Sequence, residues 1–334
     1  MANYSVPDSA PVSVVVIGVE NIESSLEFYA ATLGLEVIER LTWEGPEFER
    51  HWDLPTGSSA KCIFLGHGAD PVGRIQIMEF NASDRKLVRP QKIRCATGLF
   101  NLNVYTKDIV SDCEMLKSQG FNFWSEPALN DFGPAVGEIS EVAFDGPDGI
   151  VINMIQLITE DPNTLSGKLL AFLDDYGCTS TGFTAVATTS HGVRDMDRAL
   201  EFYYGPLKMA LFMETTLKSA DNNIAIGLPA DAETRSVFIQ GGHEYGKIAL
   251  SSPINYEIPN LIPDAVPPNI GYLAQSFQVN DLNLVANECI NIDVDIISGP
   301  EEITLPGRGL CRAMVVRNPG SGALQEIFQQ IREI

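Results

Sequence analysis

The sequence predicts an α+β protein of four β-α-β-β-β units in series, grouped as two tandem domains. Three observations predict it: a phrase that occurs twice, further anchors at one constant spacing, and a strand–helix–strand pattern that recurs inside each half. "NIESSLEFYAATLGLEV" at 21–37 is answered by "DMDRALEFYYGPLKMAL" at 195–211, so Leu26 and Tyr29 match Leu200 and Tyr203 at an offset of 174 (200 − 26). Self-similarity at a fixed spacing is the mark of a duplicated architecture. Gly73 in "GRIQI" pairs with Gly246 in "GKIAL", Asp108 with Asp281, Pro127 with Pro300 and Gly149 with Gly322, each pair 173 apart (246 − 73). The domains fall at 11–158 and 182–334. The segment between them, 159–181, is a linker with a short helix in "SGKLLAFLDD".

In the first unit "VSVVVIGV" is β-branched and apolar, a buried strand. Asn21 stands where a helix N-cap belongs, Ile22, Leu26, Tyr29 and Leu33 recur at helical spacing, and Gly34 ends the helix. Three strand-like runs follow, "EVIERLTWE", "SAKCIFLGH" and "RIQIMEFN", broken by Gly and Pro. The second unit repeats the order with strand "LFNLNVYT", helix "DIVSDCEMLKSQG", and strands around "FNFWSEP", "EISEVAFD" and "GIVINMIQLI". The 173-residue spacing carries the same pattern into the third and fourth units.

Composition bounds the function. A chain of 334 residues with 45% apolar residues can bury two cores. A formal charge of −22 argues against nucleic acid, because phosphates call for a Lys/Arg surface, and against an anionic membrane surface. No apolar run has the length of a membrane helix, and the N-terminus lacks the pattern of a secretory signal. The six scattered cysteines include no CxxC, so they read as reduced thiols of a cytoplasmic protein. The expected partner is a small organic molecule, bound by a monomer or a homodimer.

"NIESSLEFYAATLGLEV", "DMDRALEFYYGPLKM", "GPDGIVINMIQ" and "PGSGALQEIF" resemble the opening helix and final strand of the vicinal oxygen chelate superfamily. That superfamily contains glyoxalase I, extradiol ring-cleaving dioxygenases and the bleomycin resistance proteins. The resemblance covers nearly the whole chain. It implies two glyoxalase-like domains with curved, open, mixed sheets, each pair of units forming a cup for a ligand. It also implies metal ligands on the first and last strand of each unit. Those positions are Val14, Asn101, Thr188 and Ala274 on first strands, and Glu79, Asn153, roughly Ser252, and Glu326 on last strands. Val14 and Ala274 carry no donor atom, so the expectation is no metal and no other cofactor. A divalent metal held through Glu79 or Glu326 is the alternative, and a register slip would bring His191 or Gln275 inward.

By alternation Asn101, Asn103 and Tyr105 share one strand face, and with Glu79 and Asn153 they compose the expected first cup. Glu79 is the expected base, its pKa raised by burial, with Tyr105 and the amides orienting a carbonyl oxygen. His51 is a candidate acid or base at the rim, beside Trp43, Phe48 and Trp52, which would stack on a partly aromatic ligand. The expected second cup holds Thr188, Ser190, Ser276, Gln278 and Glu326. The function expected is proton transfer next to a carbonyl, of isomerase, epimerase or lyase type. The alternatives are a protein that sequesters a small molecule and a ring-cleaving dioxygenase, the latter disfavoured by the missing His ligands.

Overall fold

The computed structural model of the chain describes residues 5–90 and 93–331. Unit 1 comprises β1 (Val12–Gly18), α1 (Ile22–Leu26, continued by a π-helical turn Glu27–Thr32), β2 (Glu36–Glu44), α2 (Pro46–His51), β3 (Ser59–Gly66) and β4 (Arg74–Phe80). Unit 2 comprises β5 (Gly98–Tyr105), α3 (Ile109–Ser118), β6 (Asn122–Phe123), β7 (Ala128–Asp131), β8 (Glu138–Asp145) and β9 (Val151–Leu157). The linker carries α4 (Leu165–Tyr176). Unit 3 comprises β10 (Thr188–Gly192), α5 (Met196–Tyr204), β11 (Ala210–Leu217), α6 (Ala220–Ala225), β12 (Thr234–Gln240) and β13 (Lys247–Pro253). Unit 4 comprises β14 (Gly271–Gln278), α7 (Leu282–Asn291), β15 (Ile296–Leu305), β16 (Gly309–Arg317) and β17 (Leu324–Gln330).

Each unit's first helix starts at a side chain that can accept: Asn21, Asp108, Asp195 and Asp281 each take N–H groups of the first turn. Those donors would otherwise be left unpaired. Two open mixed sheets result. One runs β15-β16-β17-β14-β1-β4-β3-β2, the other β11-β12-β13-β10-β5-β9-β8-β6, with β7 paired to β8. β1 lies antiparallel to β14 and parallel to β4, and β10 lies antiparallel to β5 and parallel to β13. Units 1 and 4 therefore share one sheet, and units 2 and 3 share the other. This corrects the expected grouping of site residues into cups, because a constant spacing reports that units are alike and is silent on which units pair.

The centre of the first sheet explains the apolar runs. β1 and β14 are buried along their whole length, while the edge strand β2 is mostly exposed; strands covered on both faces lose the polar alternation. On the helix-bearing faces Val15, Ile17, Tyr29 and Ile75 join Leu102, Val104, Ile248 and Leu250 in one core. The opposite face of the first sheet has its own cluster, with Val16, Met78, Ala274 and Phe328 around Trp43, Phe48 and Trp52. All six cysteines are unpaired, and no described helix is long and apolar enough to cross a membrane.

A buried polar chain crosses the helix-bearing side. Gln275 donates to Thr189 (2.8 Å), Tyr203 donates to Gln275 (3.1 Å), and His191 contacts Tyr203 (2.9 Å) and Ser321 (2.7 Å). Tyr203 spends its proton on Gln275, so His191 donates from Nδ1 and accepts from Ser321 at Nε2, which is the neutral imidazole. His191 and Gln275 thus belong to this side, and no slip turns them toward the ligand face. Burial holds the His191 pKa at about 3. A His depressed in the folded state is protonated first in the unfolded one, so stability is lost as pH falls below about 6.5. Between pH 7 and pH 5 the wild type is expected to lose about 2 kcal/mol more than His191→Gln, read from urea unfolding at both pH values.

Candidate functional site

The cup shared by units 1 and 4 is closed by the chain itself. Pro46 at the first helical position starts α2, which lies between β2 and β3. Its last turn is tied to unit 4: Ser298 donates to the His51 carbonyl (2.8 Å) and Arg50 pairs with Glu301 (3.2 Å). Phe48, His51 and Trp52 are thereby buried against Trp43, with ring centroids 4.9 Å apart for Trp43–Phe48 and 5.0 Å for His51–Trp52. The three aromatic residues expected to stack on a ligand fill the cup and pack on one another. What stays open at the mouth is a cleft of about 300 Å³ between β2 and β15, rimmed by Glu39, Glu44 and Glu47.

Beneath this plug lies a buried ionic network that sequence reasoning grouped wrongly. Glu326 accepts from His51 Nε2 (2.8 Å), from Ser276 Oγ (2.6 Å) and from Arg308 Nη1. Arg308 also donates to Ser276 (3.0 Å) and, through Nη2, to Gln76 Oε1 (2.5 Å). Glu326, His51, Ser276 and Gln76 are all inaccessible to solvent or nearly so. Burial pushes the Glu326 carboxyl up, but the Arg308 charge, His51 and Ser276 outweigh it and hold it at about 2. Gln278 shares the face and donates weakly to Gln330 (3.4 Å).

The register locates the implied ligand positions. Val16 pairs with Gln76 and Ser276 with Glu326, so Gln76 and Glu326 are equivalent places on β4 and β17. Glu79 is three residues beyond Gln76, an odd step that puts it on the other face. There Glu79 accepts from the Ile22 N–H (2.8 Å) at the start of α1 and from Lys61 (2.8 Å), its partner on β3. Burial opposes ionisation, but Lys61 and the Ile22 amide hold its pKa below the usual value, opposite to the expected rise. The cation came from the neighbouring strand and was invisible along β4 itself. Glu79→Gln is therefore expected to cost about 0.5–1 kcal/mol of stability, by chemical denaturation, and to leave ligand binding unchanged.

Unlike the first, the cup of units 2 and 3 has no such plug. α6 occupies the chain position of α2 but has no aromatic residue, and Ile224 is 61% exposed. Asn153, Asn103, Thr188 and Lys247 pair in register across β9, β5, β10 and β13. Asn101 and Ser190 belong to the same face. Asn101 and Asn103 each have a buried side-chain oxygen without a partner. Lys247 is buried, donates to the Glu244 carbonyl and sits 5.2 Å from the Phe212 ring centre; burial lowers its pKa against the opposing pull of Glu244. Glu141 on β8 accepts from Asn130 (3.0 Å) and Asn153 (3.0 Å). Neither partner is a cation, and burial raises the Glu141 pKa against these two hydrogen bonds. Tyr105 does not open into this cup: it is buried, with its ring 6.4 Å from that of Tyr245 in a cluster with Phe172 and Tyr176, and burial pushes its pKa up. Aromatic packing at the sheet end overrides its alternation.

Sequence reasoning missed Gln76, Arg308, Glu141 and Lys247. Alternation along "EISEVAFD" could have found Glu141, and the lone Arg308 between two glycines in "LPGRGL" was a usable signal.

A family model described as the Glyoxalase/Bleomycin resistance protein/Dioxygenase superfamily matches residues 12–154. That part of the chain is similar to the superfamily. The chain's fold is similar to glyoxalase I from Zea mays, at 16% identity and a TM-score of 0.60 over 96% of this chain and 93% of that one. It is also similar to a putative dioxygenase from Bacillus subtilis, at 11% identity and a TM-score of 0.58 over 98% and 87%. At these identities the likeness is one of fold. No curated protein sequence matches the chain.

Members of the superfamily often use a metal, and the residues here do not fit one. Among the described residues no three His, Cys, Asp or Glu side chains gather as a metal site. In the first cup the facing first-strand positions are Val14 and Ala274, and the two last-strand donors, Gln76 and Glu326, are both held by the Arg308 guanidinium. In the second cup the corresponding last-strand positions are Asn153 and Ala249, since Ser190 pairs with Ala249 and not with Ser252.

Proposed function

We propose that the chain is an enzyme of proton-transfer type, acting at a carbon next to a carbonyl in a small organic molecule bound in the cup of units 2 and 3. Glu141 is the base, in place of Glu79. The single observation that carries this reading is the Glu141 carboxylate, half-buried on an unplugged polar face and held by two neutral amides. Desolvation without a cationic partner lifts a carboxylate toward the range where it exchanges protons with a carbon acid. Thr188 and Ser190 supply hydroxyl donors for the carbonyl oxygen, and the unpartnered oxygens of Asn101 and Asn103 suit a ligand that carries O–H or N–H groups. Each half, 11–158 and 182–334, gives one unit to each cup, and the cup of units 1 and 4 is the one filled by its own aromatic residues.

The test is isotope exchange. The protein is incubated in D₂O with a panel of small 2-oxo and 2-hydroxy carbonyl compounds, and loss of the adjacent C–H signal is followed by proton NMR. Exchange above the buffer rate for one or more compounds is expected. Compounds that bind, by shift perturbation, yet never exchange would replace this reading with the sequestering one.

A further inference from the structure

We propose that the Arg308 guanidinium is the resident cation of the first cup, and that taking it away turns the cup into a divalent-cation site. The inference stands on the first sheet alone and is independent of the reaction proposed for the second.

Three features place the guanidinium there by construction. Its two terminal nitrogens divide between Glu326 and Gln76, the equivalent residues of β17 and β4, so one planar cation spans the two halves of the cup. Such a fork matches paired oxygen acceptors better than an ammonium does. The rings of Phe64 and Phe328 flank it with centroids 5.5 and 5.1 Å from Cζ, a setting that favours a weakly hydrated cation. The turn that delivers it is specialised as well. Gly307 has φ +68°, and a Cβ there would lie 2.0 Å from the Phe64 ring, so only glycine lets the β15–β16 turn reach this far in. Gln330 Nε2 then fixes the Arg308 carbonyl at 2.8 Å.

Around the guanidinium stand donors that suit a divalent metal once it is gone: the Glu326 carboxylate, the Gln76 amide oxygen and the His51 imidazole. Nε2 of His51 is already 2.8 Å from Glu326, and its Nδ1 is buried without a partner. One carboxylate, one imidazole and one amide oxygen form a borderline set suited to Co²⁺, Ni²⁺ or Zn²⁺. With the guanidinium in place a second cation is excluded by charge and by volume.

The experiment uses the full chain, treated with chelator and titrated with Co²⁺ alone, read by visible absorption and by thermal unfolding. Wild type and Arg308→Lys are expected to show no ligand-field band and no shift of the unfolding midpoint. Arg308→Ala is expected to take up one equivalent, with an affinity for Co²⁺ at least about 100-fold above the wild type's. Its lowered midpoint should rise with added metal, as binding to the folded state requires. His51→Ala in the Arg308→Ala background should abolish both signals. Should Arg308→Ala fail to fold alone, refolding from urea with and without Co²⁺ decides, and rescue is expected. Uptake by wild type that Glu326→Gln abolishes would overturn the proposal, and so would absence of both uptake and rescue in Arg308→Ala.

Discussion

Glu326→Gln is expected to destabilise the chain by about 3–5 kcal/mol, the cost of breaking one side of a buried ion pair. The substitution preserves shape and leaves a hydrogen-bonding group in place, so cavity formation contributes little. What it removes is the charge opposite Arg308, whose side chain is 4% exposed while that of Glu326 is 0% exposed. The guanidinium keeps Gln76 and Ser276 as acceptors, but neither carries a compensating charge. His51 Nε2 would face either an amide oxygen or an amide NH₂. Urea unfolding of the single variant and of Glu326→Gln with Arg308→Met separates the causes. The double variant is expected to regain much of the loss, because neutral replacement of both charges removes the desolvation cost together with the attraction. A loss below about 1 kcal/mol for Glu326→Gln would mean that water reaches the pair, as it does for exposed bridges.

The fold was legible where local pattern decides it. Asn21, Asp108, Asp195 and Asp281 mark four helix starts, and the apolar β1 and β14 runs mark sheet centres. The pairing of unit 1 with unit 4 was not legible, because two similar units offer similar edges and the choice between them lies in tertiary packing. The candidate site followed the same division. His51 and Glu326 were picked out for their chemistry, yet they lie 275 residues apart and meet only through that pairing. Glu79 failed for a one-dimensional reason: its cation, Lys61, sits across the ladder on β3. Tyr105 was assigned to the cup by alternation, but its ring packs with Tyr245 and its neighbours at the sheet end, where ring packing overrides the alternation.

Glu141→Gln is expected to lower isotope exchange, or turnover once a substrate is identified, by about 10²–10⁴-fold, the usual contribution of a general base. The glutamine can still bond Asn130 and Asn153 through its oxygen, so the polar row across the second cup keeps its geometry and ligand affinity changes far less than rate. Stability supplies the control. The Glu141 pKa is raised, so the folded state favours the protonated side chain; its contribution to stability is present at low pH and is lost as pH rises through the raised value. At neutral pH the neutral glutamine is therefore expected to leave stability unchanged or increase it, and a drop in activity cannot then be put down to unfolding. The wild-type rate should rise with pH through a value above the ordinary carboxylate range, since only the ionised form accepts a proton, and the residual rate of the variant should lack that step. Thr188→Val and Ser190→Ala should weaken exchange less than Glu141→Gln, because each removes one donor to the carbonyl oxygen and leaves the base. Near wild-type exchange in Glu141→Gln, with the pH step intact, would remove the base from this cup and leave the polar row of Asn101, Asn103, Asn153 and Thr188 as a surface for binding alone.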